Sequence, residues 1–369
     1  MNTNTRSNIM AIVSIAAVLA APAATAQDTE SGTAGRHKLV KITPIGQRTG
    51  EFCALDRALL FEDPTGIRIL YDPGVTVAGG QDPRLGRVDA ILVSHNHFDH
   101  IGYRKLTQNP DDPQADCDFD PEVVSKRTTY TNTAEIAAAK NSAVLVSGSN
   151  GTFIGQKLQN LGVPVDGCPS AGWNEIIVPA PAACVGGPSL GGTTIVTRAA
   201  GAPGVRITAV HALHSDSFFN PLLLLPADGL GKMMADNGLE AYGGLAVGFV
   251  LTFTNGLRVY LTGDTGPTSD MSLIVRGIYH PNLTVANMDG RNNMGPVEAA
   301  YAMKELVHTK AVIPSHAEEP VTVNGKLQPG TQMAEFIRLL GDIPAYLPLS
   351  GRTMEFNGDA ECVAGCGRN

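Results

Sequence analysis

Three imidazoles and a carboxylate fall within six residues of this chain, His95-Asn96-His97-Phe98-Asp99-His100, directly after the apolar run Val88-Asp89-Ala90-Ile91-Leu92-Val93. Each of these polar groups needs a partner or water, and a shared cation satisfies several at once. In an extended chain residues i and i+2 lie on one side. One cation can therefore take both His95 and His97. Asp99 and His100 follow a step later, within reach of a second cation. The pattern is that of a metal site, and of a two-metal one.

Such a site needs further donors, and the chain offers them at the ends of other apolar runs. Residues 205–210 lead into His211-Ala212-Leu213-His214, residues 257–261 are followed by Asp264, and Ala311-Val312-Ile313-Pro314-Ser315 leads into His316. A single histidine at a strand end is more often structural than ligating. Four separate strand ends carrying metal-type donors reverse that preference, because strands emptying into one cleft would bring the donors together. His211 and His214 both remain candidates for the third imidazole at this stage. Asp72 ends another apolar run, at residues 67–71, either as a simple turn aspartate or as a brace for the ligand loop.

These strands must be held by a sheet. Residues 58–74 read as a hairpin whose arms flank Asp63-Pro64-Thr65-Gly66, a strong turn sequence. Residues 249–266 repeat the design: strand, Asn255-Gly256 turn, strand, then Asp264. The echo points to two similar halves. Pro296 opens a helix over residues 297–308, Thr331 caps a second carrying Met333, Phe336, Ile337 and Leu340 on one face, and residues 131–140 form a third helical segment. Alternating strands and helices predict an α/β sandwich. A loop-rich insertion is expected at about 103–204, Gly- and Pro-rich from about 164 onward, and an apolar loop at about 217–240.

Residues 1–26 read as a signal peptide, with Arg6, an apolar run at residues 9–21, and Ala24-Thr25-Ala26 before Gln27. The run is too short to span a bilayer comfortably, and no stable membrane insertion is expected. Residues 27–369 would then be an exported protein, periplasmic or secreted. The net charge of -8 becomes about -9 without Arg6, which disfavours nucleic acid and favours a small-molecule substrate. Six cysteines, Cys53, Cys117, Cys168, Cys184, Cys362 and Cys366, fit disulfides in that setting, with Cys362–Cys366 and Cys117–Cys168 as the expected bridges. Oligomeric state is not legible.

The His95-Asn96-His97-Phe98-Asp99-His100 motif, followed in order by His214, Asp264 and His316, resembles the metallo-β-lactamase-fold hydrolases over about residues 37–350. Val210-His211-Ala212-Leu213-His214-Ser215, Tyr242-Gly243-Gly244-Leu245-Ala246-Val247-Gly248 and Met294-Gly295-Pro296-Val297-Glu298-Ala299-Ala300 are similar to the branch containing ascorbate-6-phosphate lactonase. The resemblance implies a four-layer αββα sandwich built as a single domain, with the insertions noted above. It places His95, His97 and His214 on one metal, Asp99, His100 and His316 on the other, and Asp264 between them. His214 is preferred over His211 for its Ala-x-His-Ser setting, and His211 is left as a substrate contact or catalytic group. Asp72 is implied as a brace beside the ligands. The apolar stretch 218–226, with Met233 and Met234, departs from the pattern and would line or cover the cleft, or else be a buried loop or oligomer contact.

The implied chemistry is hydrolysis by a hydroxide held between two divalent metal ions, with Asp99 orienting it and accepting its proton. The nitrogen and carboxylate donor set suits zinc, with manganese or iron as alternatives. An ester, lactone or related acyl or phosphoester bond is the expected target. A β-lactam substrate and iron-dependent redox chemistry on the same fold are the competing readings.

Overall fold

Two antiparallel hairpins organise the chain. In the first, Leu59–Glu62 pairs with Arg68–Tyr71, Leu59 opposite Tyr71. In the second, Val247–Thr252 pairs with Arg258–Leu261, Phe249 opposite Leu261. The two turns meet: Asp63 accepts from Thr65 N of its own turn at 2.9 Å and from Thr254 N of the other at 2.8 Å. Each hairpin then hands its second strand to two parallel partners. Arg68–Tyr71 is followed by Ala90–Leu92 and Ala143–Leu145, and Arg258–Leu261 by Leu283–Asn287 and Ala311–Ser315. The two-half reading is a property of the strand pairing.

This computed structural model describes residues 38–102, 117, 131–148, 150–215, 217–218 and 229–367. All belong to one compact unit, His37–Asn369. The leader at 1–26 and residues 219–226 of the apolar stretch lie outside the described residues.

The first sheet has eight strands, ordered Cys362–Ala364, Met354–Phe356, Val40–Pro44, Leu59–Glu62, Arg68–Tyr71, Ala90–Leu92, Ala143–Leu145 and Cys184–Gly186. The second has seven, ordered Ala311–Ser315, Leu283–Asn287, Arg258–Leu261, Val247–Thr252, Gly204–His211, Thr193–Thr197 and Glu175–Ile177. Strand period 2 divides their side chains among three cores. Leu59, Phe61, Ile69 and Tyr71 face Ile207, Phe249, Leu251 and Val285 between the sheets. Leu60, Leu70, Ile91 and Val144 pack outward on Ile136, Ala137, Ile154 and Leu158 of the helices Asn132–Lys140 and Asn150–Asn160. On the other side Val250, Tyr260 and Val312 meet Val275, Met303 and Phe336 of the helices Met271–Tyr279, Ala302–Val307 and Gln332–Leu340. Helix, sheet, sheet, helix is the αββα sandwich expected, and it explains why these strands read as unbroken apolar runs: both faces are buried.

Thr131 and Thr331 cap their helices, each accepting from the backbone N–H three residues on at 3.1 Å. The stretch expected as an insertion is more structured than its composition suggests. Residues 132–197 supply two strands to each sheet and two of the covering helices. The cysteine pairing also differs from expectation. Cys362–Cys366 forms, but Cys117 bonds Cys53, and Cys168 bonds Cys184. Cys168 lies beside the edge strand that carries Cys184, whereas Cys117 returns to the segment before Leu59–Glu62, and Ala54 N donates to Cys117 O at 3.1 Å.

Candidate metal centre

Both halves end their parallel strands at one edge, and the polar donors sit there. Ala90–Leu92 runs through Val93 to Ser94 and His95, and Val247 N donates to Ser94 O at 3.0 Å, tying the sheets together at this point. Phe98–Ile101 forms a single helical turn that lifts Asp99 and His100 inward and ends at Gly102, φ 68°, whose N–H donates to Phe98 O. Asp264 follows Gly263, φ 61°, where a Cβ would stand 2.6 Å from Val247 O, so only glycine lets the strand end turn here. His214 sits in the loop after Gly204–His211, held by Leu213 N donating to Thr265 Oγ1 at 2.9 Å. His316 leaves Ala311–Ser315 with φ 65°.

The donor atoms of His95, His97 and His214 all lie within 4.8 Å of one another, and so do those of Asp99, His100 and His316. His214 Nε2 is 3.2 Å from His97 Nδ1. Asp264 spans the two groups: its Oδ2 is 3.0 Å from His316 Nε2 and 3.8 Å from His214 Nε2, and its Oδ1 is 3.3 Å from His100 Nε2. All seven residues singled out as metal ligands in the sequence converge. His211 does not. It lies outside each of these groups, two-fifths exposed, with Nδ1 3.8 Å from Asp270 Oδ2. The chain leaves the sheet at His211, and three further residues are needed to bring an imidazole round to the edge.

Asp72, fully buried and at φ 38°, accepts from Ser94 N at 2.8 Å and Ser94 Oγ at 2.7 Å, and lies 2.8 Å from His100 Nδ1. A carboxylate on Nδ1 puts the proton there and leaves Nε2 to face the donor cluster. Asp289 stands likewise behind His316, with Oδ2 3.5 Å from His316 Nδ1 while Oδ1 accepts from the N–H groups of Arg291, Asn292 and Asn293. Asn287 Nδ2 donates to Asp264 Oδ1 at 2.9 Å. Asp289 and Asn287 carry the same strand-end signal in the sequence as Asp264. Arg57 does not: its side chain is 1% exposed, and its Nη2 lies 2.6 Å from Asp99 Oδ2, 2.8 Å from His316 Nε2 and 3.2 Å from Glu318 Oε1. Nothing in its sequence neighbourhood announces that role.

The two groups differ electrostatically. Burial holds His95, His97 and His214 below the usual imidazole range, helped at His95 by the other imidazoles. These rings are neutral, with lone pairs ready to donate. Burial opposes charge on His100 too, but Asp264, Asp99 and Asp72 raise it well above the usual value. His316 is pushed to about 9: burial and Arg57 work against its charge, and Asp264 and Asp99 outweigh them. Asp99 and Asp264 stay ionised despite burial, Asp99 held chiefly by Arg57 and His100, Asp264 by His100 and His316. His95 Nε2 and His100 Nε2 are buried without a hydrogen-bond partner. A divalent cation is the partner that three neutral imidazoles and an unsatisfied ring nitrogen suit.

Two facing sheets flanked by helices, with histidines and aspartates gathered at one edge, define the metallo-β-lactamase fold. A Beta-lactamase superfamily domain matches residues 56–174. Igni18, a metallo hydrolase from Ignicoccus hospitalis, superposes with a TM-score of 0.52 at 19% identity, covering 86% of this chain and 99% of that one. A UPF0173 metal-dependent hydrolase of Cupriavidus taiwanensis is 30% identical over 269 residues, 71% of this chain and 72% of that protein. Another from Cupriavidus necator is 29% identical over 269 residues, 71% of each. This chain belongs to the UPF0173 metal-dependent hydrolase family.

Proposed function

We propose that the chain is an exported hydrolase of an ester, lactone or related acyl or phosphoester bond in a small molecule, working with divalent cations at the strand-end cluster. The observation that carries this is Asp264, within reach of both donor groups. His95, His97 and His214 would hold one cation, and Asp99, His100 and His316 form the position for a second. Zinc is the expected metal, with manganese or iron(II) compatible with the same donors. A cation bound there would acidify water toward neutrality and polarise the scissile group's oxygen. Asp264 and Asp99, ionised and buried, would orient water by accepting hydrogen bonds from it, and Asp72 and Asp289 fix the ring orientation of His100 and His316. The lactone preference rests on the sequence resemblance to the lactonase branch. Export is supported by the pairing of all six cysteines in disulfides.

The test is bound-metal analysis of the purified protein together with a hydrolysis screen across lactones, aryl esters, β-lactams and phosphodiesters. Turnover of at least one class is expected, falling on the order of 1,000-fold or more in His97→Ala and Asp264→Ala. Full turnover in both variants would overturn the proposal.

A further inference from the structure

The two cation positions are not equivalent, because a fixed guanidinium stands at one of them. Arg57 Nη2 is 2.6 Å from Asp99 Oδ2, the carboxylate oxygen that lies 3.5 Å from His100 Nε2 and 3.4 Å from His316 Nε2. The same Nη2 is 2.8 Å from His316 Nε2 and 3.3 Å from its Nδ1. It is therefore at two of the three donors that a second cation would need. Arginine cannot give up its proton, so the charge stays. No such contact is made with His95 or His214 among the described residues.

Arg57 is also held in place. Both oxygens of Asp56 are taken by backbone N–H groups, Gln47 N at 2.7 Å and Cys53 N at 2.9 Å. Leu55 N donates to Ala317 O at 2.9 Å, next to His316, and the Cys53–Cys117 disulfide closes the segment from the other side. Moving the guanidinium away would leave a buried charge and break its contacts with Asp99 and Glu318.

We propose that Arg57 is the resident positive charge of the second position: the chain holds one divalent cation tightly, at His95, His97 and His214, and admits a second only by displacing the guanidinium. This rests on the reading of the cluster as a cation site. Arg57 then acts on the reaction through Asp99, as a positioning residue whose charge stands where a second metal would.

The experiment is calorimetric titration of chelator-stripped full-length protein with Zn2+, repeated with Co2+ to follow the ligand-field spectrum. Wild type is expected to take up one tight equivalent. Arg57→Gln should strengthen a second equivalent on the order of 10–100-fold, the range seen when groups behind metal ligands are changed. Arg57→Lys, which keeps the charge, should remain at one. Two tight equivalents in wild type, or no gain in Arg57→Gln, would overturn the proposal and leave the hydrolase reading standing. No tight equivalent in wild type would overturn both. If Arg57→Gln fails to fold, the wild-type count still decides between one equivalent and two.

Discussion

Asp72 Oδ2 stands 2.8 Å from His100 Nδ1, with neither side chain exposed. The carboxylate also accepts both donors of Ser94, so one residue ties the end of Arg68–Tyr71 to the start of the ligand loop. Asp72→Ala would leave Ser94 N without an acceptor, and leave Ser94 Oγ and His100 Nδ1 only their longer contacts, Ser94 Oγ being 3.1 Å from His95 Nδ1 and 3.2 Å from His100 Nδ1; it should destabilise the chain by about 3–5 kcal/mol. Asp72→Asn keeps the shape but presents an amide to His100, and affinity for a cation at the His100 position, read in the Arg57→Gln background, should fall roughly 10–100-fold. Thermal unfolding and metal titration of the two variants check this. Unchanged affinity in Asp72→Asn would count against the bracing role.

Stability of the metal-free chain should depend on pH through the second donor group. His316 titrates near 9 in the folded chain, and His100 is also raised well above the ordinary imidazole value of 6.5. A raised folded pKa contributes stability that is complete below the unfolded value and is lost as pH climbs through the folded one. The unfolding temperature with chelator present should therefore fall between about pH 6.5 and pH 9. A temperature that rises across this window would refute the assignment. In Arg57→Gln, cation uptake at this group should release protons, visible as calorimetric heats that change with buffer.

Cys53–Cys117 spans a sequence separation of 64, and Cys362–Cys366 only 4. Loop-closure entropy then predicts a loss of about 4 kcal/mol on breaking the first and about 2 kcal/mol on breaking the second. Denaturant unfolding of the paired Cys→Ala variants measures both. Equal losses from the two bridges would contradict the ordering.

Asp63 joins the two hairpins, accepting from Thr254 N at 2.8 Å and Thr254 Oγ1 at 2.8 Å as well as from its own turn. Asp63→Ala should cost about 1–3 kcal/mol, because it removes a buried carboxylate's charge-assisted hydrogen bonds to both turns, although the donors on exposed Thr65 and Thr254 are left to water. The residue lies in a turn away from the strand ends that carry the donors, so turnover per folded molecule should stay at wild-type level. A variant of normal stability, or one with lost turnover at normal stability, would show that the contact has another role.

Much of the donor set was legible because its signal is local. An apolar run followed within three residues by His or Asp marks a strand end, and His95, Asp264 and His316 all carry it. Asp289 carries it too, three residues beyond Ala286, the same distance that separates Asp264 from Leu261. The choice of His214 over His211 depended on resemblance, since both follow the same run. The structure gives the physical reason: His211 is still paired in the sheet opposite Val247, and its ring projects toward Asp270.

Other features had no local signal. Cys117 pairs with Cys53 because the chain returns to the segment before the first hairpin, a fact that spacing along the sequence does not contain. Residues 143–197 read as loop-rich because their strands are three to five residues long, too short for period 2 to stand out.

By itself the sequence determined the α/β alternation, the paired hairpins and six of the seven residues that meet at the strand ends, with His214 chosen by resemblance, because burial of strands and clustering of imidazoles leave their mark on neighbouring residues. Tertiary structure alone decided that the donors form two unlike groups. Asp289 stands behind the ring of His316 as Asp72 does behind His100, and Arg57 arrives from a distant segment to put a permanent charge on one side. Such relationships are Coulombic and depend on distances of about 3–4 Å between residues far apart in the chain, which only packing of the two sheets brings about.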